Sequence, residues 1–246
     1  MPTFRHGKNT VILFDEFDLS TYFNSVTTSA MAEAVETTTF GSVNKTYAIG
    51  IKDGTISLEG LWAGDIDGVD EVLAAAVAST SKKIITVATE GATIGRRAKL
   101  LNTDETSYEI ASAVADMVTI SAEAQASGTV GGIDGGVLLA ASQTVSAVTA
   151  NASVDGTTSS ANGGVGHLHV TANTRNGAAT IKIQHSANNS TWADLVIFTN
   201  TVSTTKTSER IEVAAGTTVN RYLRANVSGI AGSTGSVTIT VGFARR

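Results

Sequence analysis

The sequence predicts a mainly β protein: an N-terminal β-sandwich or barrel with one flanking α-helix, followed by a C-terminal antiparallel β-sandwich. Three observations carry this. Apolar and polar residues alternate over long stretches, as in Val118, Ile120, Ala122 and Ala124 against Thr119, Ser121, Glu123 and Gln125. Glycine is abundant, at 24 residues, while proline occurs once, so turns punctuate short strands. Only one segment, residues 68–79, spaces its apolar residues at helical period.

Composition narrows the function. With 42% hydrophobic but only 5% aromatic residues, small side chains must supply most of the packing. The formal net charge of −5 argues against a protein that grips phosphate backbones, because that affinity comes from Lys and Arg. There is no cysteine, which excludes disulfides, thiolate nucleophiles and Cys-ligated zinc. The first residues hold no apolar run of export length, and acids interrupt them at Asp15, Glu16 and Asp18. No later run approaches a membrane span, so a soluble protein made where it folds is expected.

In chain order, residues 11–14 form a short apolar strand followed by a turn. Residues 24–40 are Thr-rich and extended, the start of an arm or loop expected over about 24–45. Lys52-Asp53-Gly54 signals a hairpin turn between residues 47–51 and 55–62. Ile56, Leu58 and Trp62 then share one face, and Gly60 marks a bulge or a close backbone approach. Asp65 or Asp67 caps the helix, Asp70 and Glu71 suit its positive end, and Val69, Val72, Leu73, Ala76 and Val77 form its apolar stripe. Residues 83–88 form a strand and 91–102 a basic loop or short strand. Two strands follow at 108–113 and 117–125. The run SGTVGGIDGG sets the domain boundary, with 1–130 before it, a Gly-rich linker at 131–136 and 137–246 after it. Beyond it, strands are expected near 167–171, 181–184, 192–199, 210–213, 221–227 and 237–243. The last of these either closes the outer sandwich or returns to the first domain.

No chemical motif outweighs its plain explanation. His167 and His169 stand two apart on one strand face and could chelate a metal, but no acid or third histidine is near, and surface or rim positions are expected. Asp65, Asp67, Asp70 and Glu71 are accounted for by capping, without calcium-loop spacing. Asp15, Glu16 and Asp18 suit a solvated turn better than an acid–base pair. No serine sits in a G-x-S-x-G elbow. Gly163, Gly164 and Gly166 precede a strand, not a phosphate-binding helix. Three glycosylation-like sequons, at Asn44, Asn151 and Asn226, arise readily in a Thr/Ser/Asn-rich chain. No catalytic residue, metal or cofactor is therefore expected. Arg96, Arg97 and Lys99 form the most notable charged group: a solvated loop, or a contact with acids of a neighbouring subunit.

One stretch carries a resemblance. The segments FDLSTYFN at residues 17–24, ETTTFGS at 36–42 and GIKDGTISLEGLW at 50–62 resemble the major tail tube proteins of long-tailed, non-contractile bacteriophages. The helix and the strand after residue 118 follow in the same order. The stretch from IKIQHS at 181–186 to TWADL at 191–195 resembles the β-sandwich at the C-terminal end of many such proteins. The resemblance implies two packed sheets flanked by a helix, and hexameric rings stacked into a hollow tube that conducts DNA from capsid to host. It places a reaching arm at residues 24–40, with Asn24, Val35 and Phe40 at subunit contacts, a second tether at residues 1–9, and the C-terminal domain outside the tube. Implied partners are further copies of the chain, tape-measure and tail-terminator proteins, and passing DNA; the implied location is the virion, assembled in the bacterial cytoplasm. The alternatives are a carbohydrate- or host-binding module using Trp192, Tyr222 and His185, though a Trp after a hairpin turn is expected to pack inward, and a capsid cement protein.

Overall fold

The computed structural model describes residues 5–128, 132–199, 201, 203–232 and 234–246. The expected tether therefore lies partly outside the described residues, as does position 131 of the expected linker. The chain is mainly β, built of antiparallel strands with one α-helix among the described residues. Contacts divide it into two units: Met1–Thr21 with Ile84–Leu101 and Asp134–Arg246, and Tyr22–Lys83 with Asn102–Ile133. This division differs from boundaries near 130 and 137. Residue 133 already begins a strand, so Gly135 and Gly136 of the expected linker lie within it.

The first unit holds β1 (Val11–Phe14), β2 (Phe17–Asp18), β5 (Lys83–Ala88), the first part of β6 (Arg97–Ala111) and β8 to β16. The later strands are β8 (Ile133–Val145), β9 (Thr149–Ala150), β10 (Val154–Asp155), β11 (Gly164–Asn173), β12 (Ala179–Ser186), β13 (Ala193–Ile197), β14 (Thr207–Val213), β15 (Tyr222–Ile230) and β16 (Val237–Arg245). Its main sheet runs β14-β11-β16-β8-β6-β5-β1-β2, and a smaller sheet runs β10-β15-β12-β13 with β9 on β15. The two sheets face each other across one core. Leu168 and Val170 of β11, and Val237, Ile239, Val241 and Phe243 of β16, meet Ile181, Ile183, Val196, Leu223 and Ala225 of the smaller sheet. The period-two pattern expected at residues 237–243 is therefore present, and β16 lies between β11 and β8. The other face of the main sheet closes over a second core of Ala88, Ala98, Leu100, Leu138, Val165 and Ala244. Thr86 of β5 touches His167 and His169 of β11, although β6, β8 and β16 separate those strands, so the main sheet rolls back on itself.

The second unit is a sheet of β3 (Phe23–Glu36), β4 (Tyr47–Leu61), β7 (Thr119–Ala126) and the later part of β6, in the order β3-β4-β7-β6. Its apolar face presents Ile56, Leu58, Ile120, Ala122 and Ala124, all buried. Helix α1 (Val69–Val77) buries Val69, Val72, Leu73 and Ala76, starting one residue and ending two residues inside the expected span. Tyr108, on the apolar face opposite Ala122, donates its hydroxyl to Asp70 Oδ1 at 2.6 Å and ties helix to sheet. The N-cap is Gly68 rather than Asp65 or Asp67, and it makes no side-chain cap bond. A Cβ there would stand 2.6 Å from the Asp65 carbonyl oxygen, which only glycine avoids, while Glu71 reaches back to accept from the Asp67 N–H at 3.0 Å.

Two corrections concern β4 and β6. Lys52-Asp53-Gly54 makes no turn: these residues pair with Ala32, Met31 and Ala30 inside one continuous strand. Cross-strand pairing on β3 overrides the local turn preference, and the hairpin reverses instead in residues 37–46. Likewise residues 97–102 of the expected basic loop and 108–111 of the next expected strand belong to the single strand β6, while residues 91–96 precede it as loop and turn. At Gly60 the expected close approach is present: a Cβ would lie 2.2 Å from the Tyr22 carbonyl oxygen, beside a register shift between Phe23 and Ser25.

Candidate assembly interface

The second unit carries a free ribbon. β7 covers β4 only over Thr55–Leu61, whereas β3 and β4 continue pairing to Glu36 and Tyr47. From Met31 to Asp53 the hairpin therefore has two strands and no third among the described residues. Such a ribbon is marginal in water by itself. Yet it displays apolar side chains: Ile49 and Ile51 are each 79% exposed, Met31, Val35 and Tyr47 are exposed, and Phe40 and Val43 at the tip are almost wholly so. Hydrogen bonds hold the tip in shape, with the Thr37 N–H donating to Thr46 O and Lys45 paired to Glu36 at 3.1 Å. A defined, apolar, two-sided ribbon is a surface that burial would stabilise.

The sheet's other face is wet. Three cross-strand rows of four emerge from the register: Ser25–Glu59–Ser121–Glu109, Thr27–Ser57–Glu123–Ser107 and Ser29–Thr55–Gln125–Asp104. Every member is a hydroxyl, an amide or an acid, and none is basic. Glu59, Glu109 and Glu123 are exposed on it.

Of the expected contact residues, Asn24, Val35 and Phe40 are exposed on this hairpin, on β3 and at the tip. Arg96, Arg97 and Lys99 belong to the other unit. Arg96 donates to Glu90 at 3.2 Å, while Arg97 and Lys99 project from the start of β6.

The histidines overturn the surface expectation. His167 and His169 are completely buried inside the rolled sheet. Arg210 Nη1 donates to His167 Nε2 at 2.8 Å, so His167 carries its proton on Nδ1, which faces Thr86 Oγ1 at 3.1 Å. The Thr86 hydroxyl then donates to His169 Nε2 at 2.8 Å, and His169 Nδ1 donates to the Asp15 carbonyl oxygen at 2.5 Å. Because Arg cannot accept and a carbonyl cannot donate, the direction of every bond is forced. Burial holds His167 well below the usual histidine range, helped by His169 and Arg210, and burial lowers His169 to about 4. The chain ends in an ion cluster where Asp134 pairs with Arg246 at 3.0 Å and Arg210 at 3.4 Å, and Glu212 with Arg210 at 3.0 Å. Sequence spacing missed it because Thr86 and Asp15 are remote in the chain.

Trp192, Tyr222 and His185 do not form an open aromatic platform. The Arg224 guanidinium covers Trp192, 4.1 Å from the ring centroid, and Arg221 lies 4.9 Å from Tyr222. Trp192 is half-buried under that cation rather than packed in the core. His185 Nδ1 accepts the Asn220 N–H at 3.2 Å.

Among the described residues no group of three His, Cys, Asp or Glu is placed to hold a metal, and no helix is long and apolar enough to cross a membrane. No protein-family model matches the chain, and no curated protein matches it. Solved structures similar to it include a virion chain, a tail chain and an isolated phage protein. A chain of the virion of a native gene transfer agent particle is 19% identical with a TM-score of 0.42, over 51% of this chain and 96% of that one. A chain from the C6-symmetric tail of an empty gene transfer agent particle is 17% identical with a TM-score of 0.42, over 52% and 98%. The SPP1 Dit protein, gp 19.1, described as a paradigm of the hub adsorption apparatus in phages infecting Gram-positive bacteria, is 10% identical with a TM-score of 0.34, over 96% and 99%.

Proposed function

We propose that this chain is a structural, non-enzymatic subunit of a phage tail, located in the virion, whose copies close into hexameric rings that stack as a DNA-conducting tube. The observation that carries the reading is the free β3–β4 ribbon. Fully burying a large apolar side chain contributes roughly 1.5–3 kcal/mol, so a few residues among Phe40, Ile49 and Ile51 supply enough to favour association between copies. The ribbon's unpaired strand edges add hydrogen-bonding capacity that a neighbouring copy would satisfy, and a head-to-tail contact of this kind forms a ring when the rotation between copies closes. The wet face suits a lumen, because hydroxyls hold water and Glu59, Glu109 and Glu123 repel a passing polyanion rather than retain it. Tape-measure and tail-terminator proteins would be the chain's further partners in the tail.

Electron microscopy of the purified full-length protein at increasing concentration tests this. Hollow rings or tubes are the expected result. A chain that stays monomeric at hundreds of micromolar, with no annular particles, overturns it.

A further inference from the structure

We infer that the first unit carries a binding site for a small carboxylate borne on a six-membered ring, an acidic sugar or an aromatic acid. The site is a cleft of about 380 Å³ at the end of the sandwich where β6 and β8 begin. That is the lower end of the range of small-molecule pockets. It does not depend on the assembly proposed above.

The cleft is open in part because Gly95, Gly135, Gly136 and Gly156 add no side chain to its lining. Gly95, with φ +82°, and Gly135 stand on it, and a Cβ at Gly135 would have only Lys99 Nζ within 4 Å, at 3.9 Å. The floor is apolar, made by Val137, Val154, Leu223 and Phe243, and so draws on both sheets.

The charge on these walls runs against that of the whole chain. Arg97 lines the cleft and Lys99 reaches Gly135, and neither has an acidic partner among the described residues. Arg245 brings a third cation, held by carbonyls alone. Its Nη1 donates to Val219 O at 2.7 Å and its Nη2 to Asn220 O and, at 3.0 Å, to Arg221 O. Its Nε lies beside Gly156, 3.1 Å from where a Cβ there would stand. The single acid of the lining, Asp155, is already neutralised: Arg221 donates to both its oxygens, at 2.7 and 2.6 Å, and this pairing lowers its carboxyl to about 2. The result is a surplus of positive charge over an apolar floor, in a chain whose net charge is −5.

Guanidinium groups match the planar, two-oxygen geometry of a carboxylate. An inorganic anion would satisfy the cations yet leave the floor wet. A neutral ring would cover the floor yet leave the cations unmatched. A ring bearing one carboxylate meets both.

The test is titration of the full-length chain, followed by amide NMR, with glucuronate and benzoate as separate arms and with glucose, benzyl alcohol and sulfate as controls. Saturable shifts at Gly95, Gly135 and Gly156 with at least one carboxylate are expected, and the arm that binds tighter names the source. Arg97→Ala should weaken binding about tenfold, the effect of losing one charge-assisted bond. Gly135→Leu should abolish binding while leaving the unfolding midpoint within a degree, since its side chain enters open space. The inference is overturned if the neutral rings bind as well as the acids, if sulfate matches both carboxylates, or if Gly135→Leu binds like the parent.

Discussion

Thr86→Val is the sharpest test of the buried histidine chain. Valine matches threonine in shape, so packing is retained while the hydroxyl that joins two histidines is lost. His167 Nδ1–H then has no acceptor and His169 Nε2 no donor. Neither ring can escape by shifting its proton, because Arg210 occupies His167 Nε2 as a donor and the Asp15 carbonyl requires His169 Nδ1–H. Stranding one buried polar group costs about 1–3 kcal/mol, so two cost about 2–6 kcal/mol. That is a large share of the stability of about 5–15 kcal/mol usual for a folded domain. Urea unfolding at pH 7.5 reads the loss as a lower midpoint at unchanged slope. Thr86→Ser, which keeps the hydroxyl, should lose only about 1 kcal/mol for its missing methyl. A Val variant within about 0.5 kcal/mol of the parent refutes the directed chain. Imidazole ¹⁵N shifts give an independent check, since both rings must be Nδ1–H tautomers.

Acid should unfold the first unit in a defined window. His169 binds its proton less readily when folded than when unfolded, so its stabilising effect is complete above pH 6.5 and is lost as pH falls toward about 4. At about 1.4 kcal/mol per pH unit that is about 3 kcal/mol, with His167 adding to it, and His169→Gln should flatten the slope of stability against pH. Arg175→Lys should lower stability by about 2–5 kcal/mol in thermal unfolding, because the buried guanidinium donates to the carbonyls of Ala231, Ser146, Gly235 and Gly232, and an ammonium has too few donors for them. Phe40→Ser combined with Ile49→Ser should reduce assembly in sedimentation velocity while leaving the monomer's melting temperature within about two degrees, since both side chains are exposed and add little to the fold. Tyr108→Phe should cost about 1 kcal/mol by freeing α1 from the sheet at Asp70, measured by urea unfolding.

Local patterning decided much of this protein. Alternation placed Ile120, Ala122 and Ala124 inside and Glu123 outside, helical spacing located α1, and the interruption at Gly60 marked a true backbone contact. These properties depend on residues two to four positions apart, and neighbours in sequence determine them. The Lys52-Asp53-Gly54 signal failed because a turn preference of a few tenths to one kcal/mol yields to a ladder of pairs with β3.

The acids of the wet face were legible as single residues, but their rows needed the register of four strands. The exposed ribbon was legible as an extended polar stretch, but not where its third strand ends. His167 and His169 have the same alternation whether they face water or a core. Only the roll of the main sheet, which brings Thr86 and Asp15 across from β11, decided that they are buried, neutral and joined. The carboxylate cleft likewise gathers Arg97, Gly135, Asp155 and Arg245 from segments far apart in the chain. Sequence alone determined which faces are apolar, since that depends on local period. Tertiary structure alone decided what those faces meet, since long-range pairing is set by the balance of the whole core and not by any one segment.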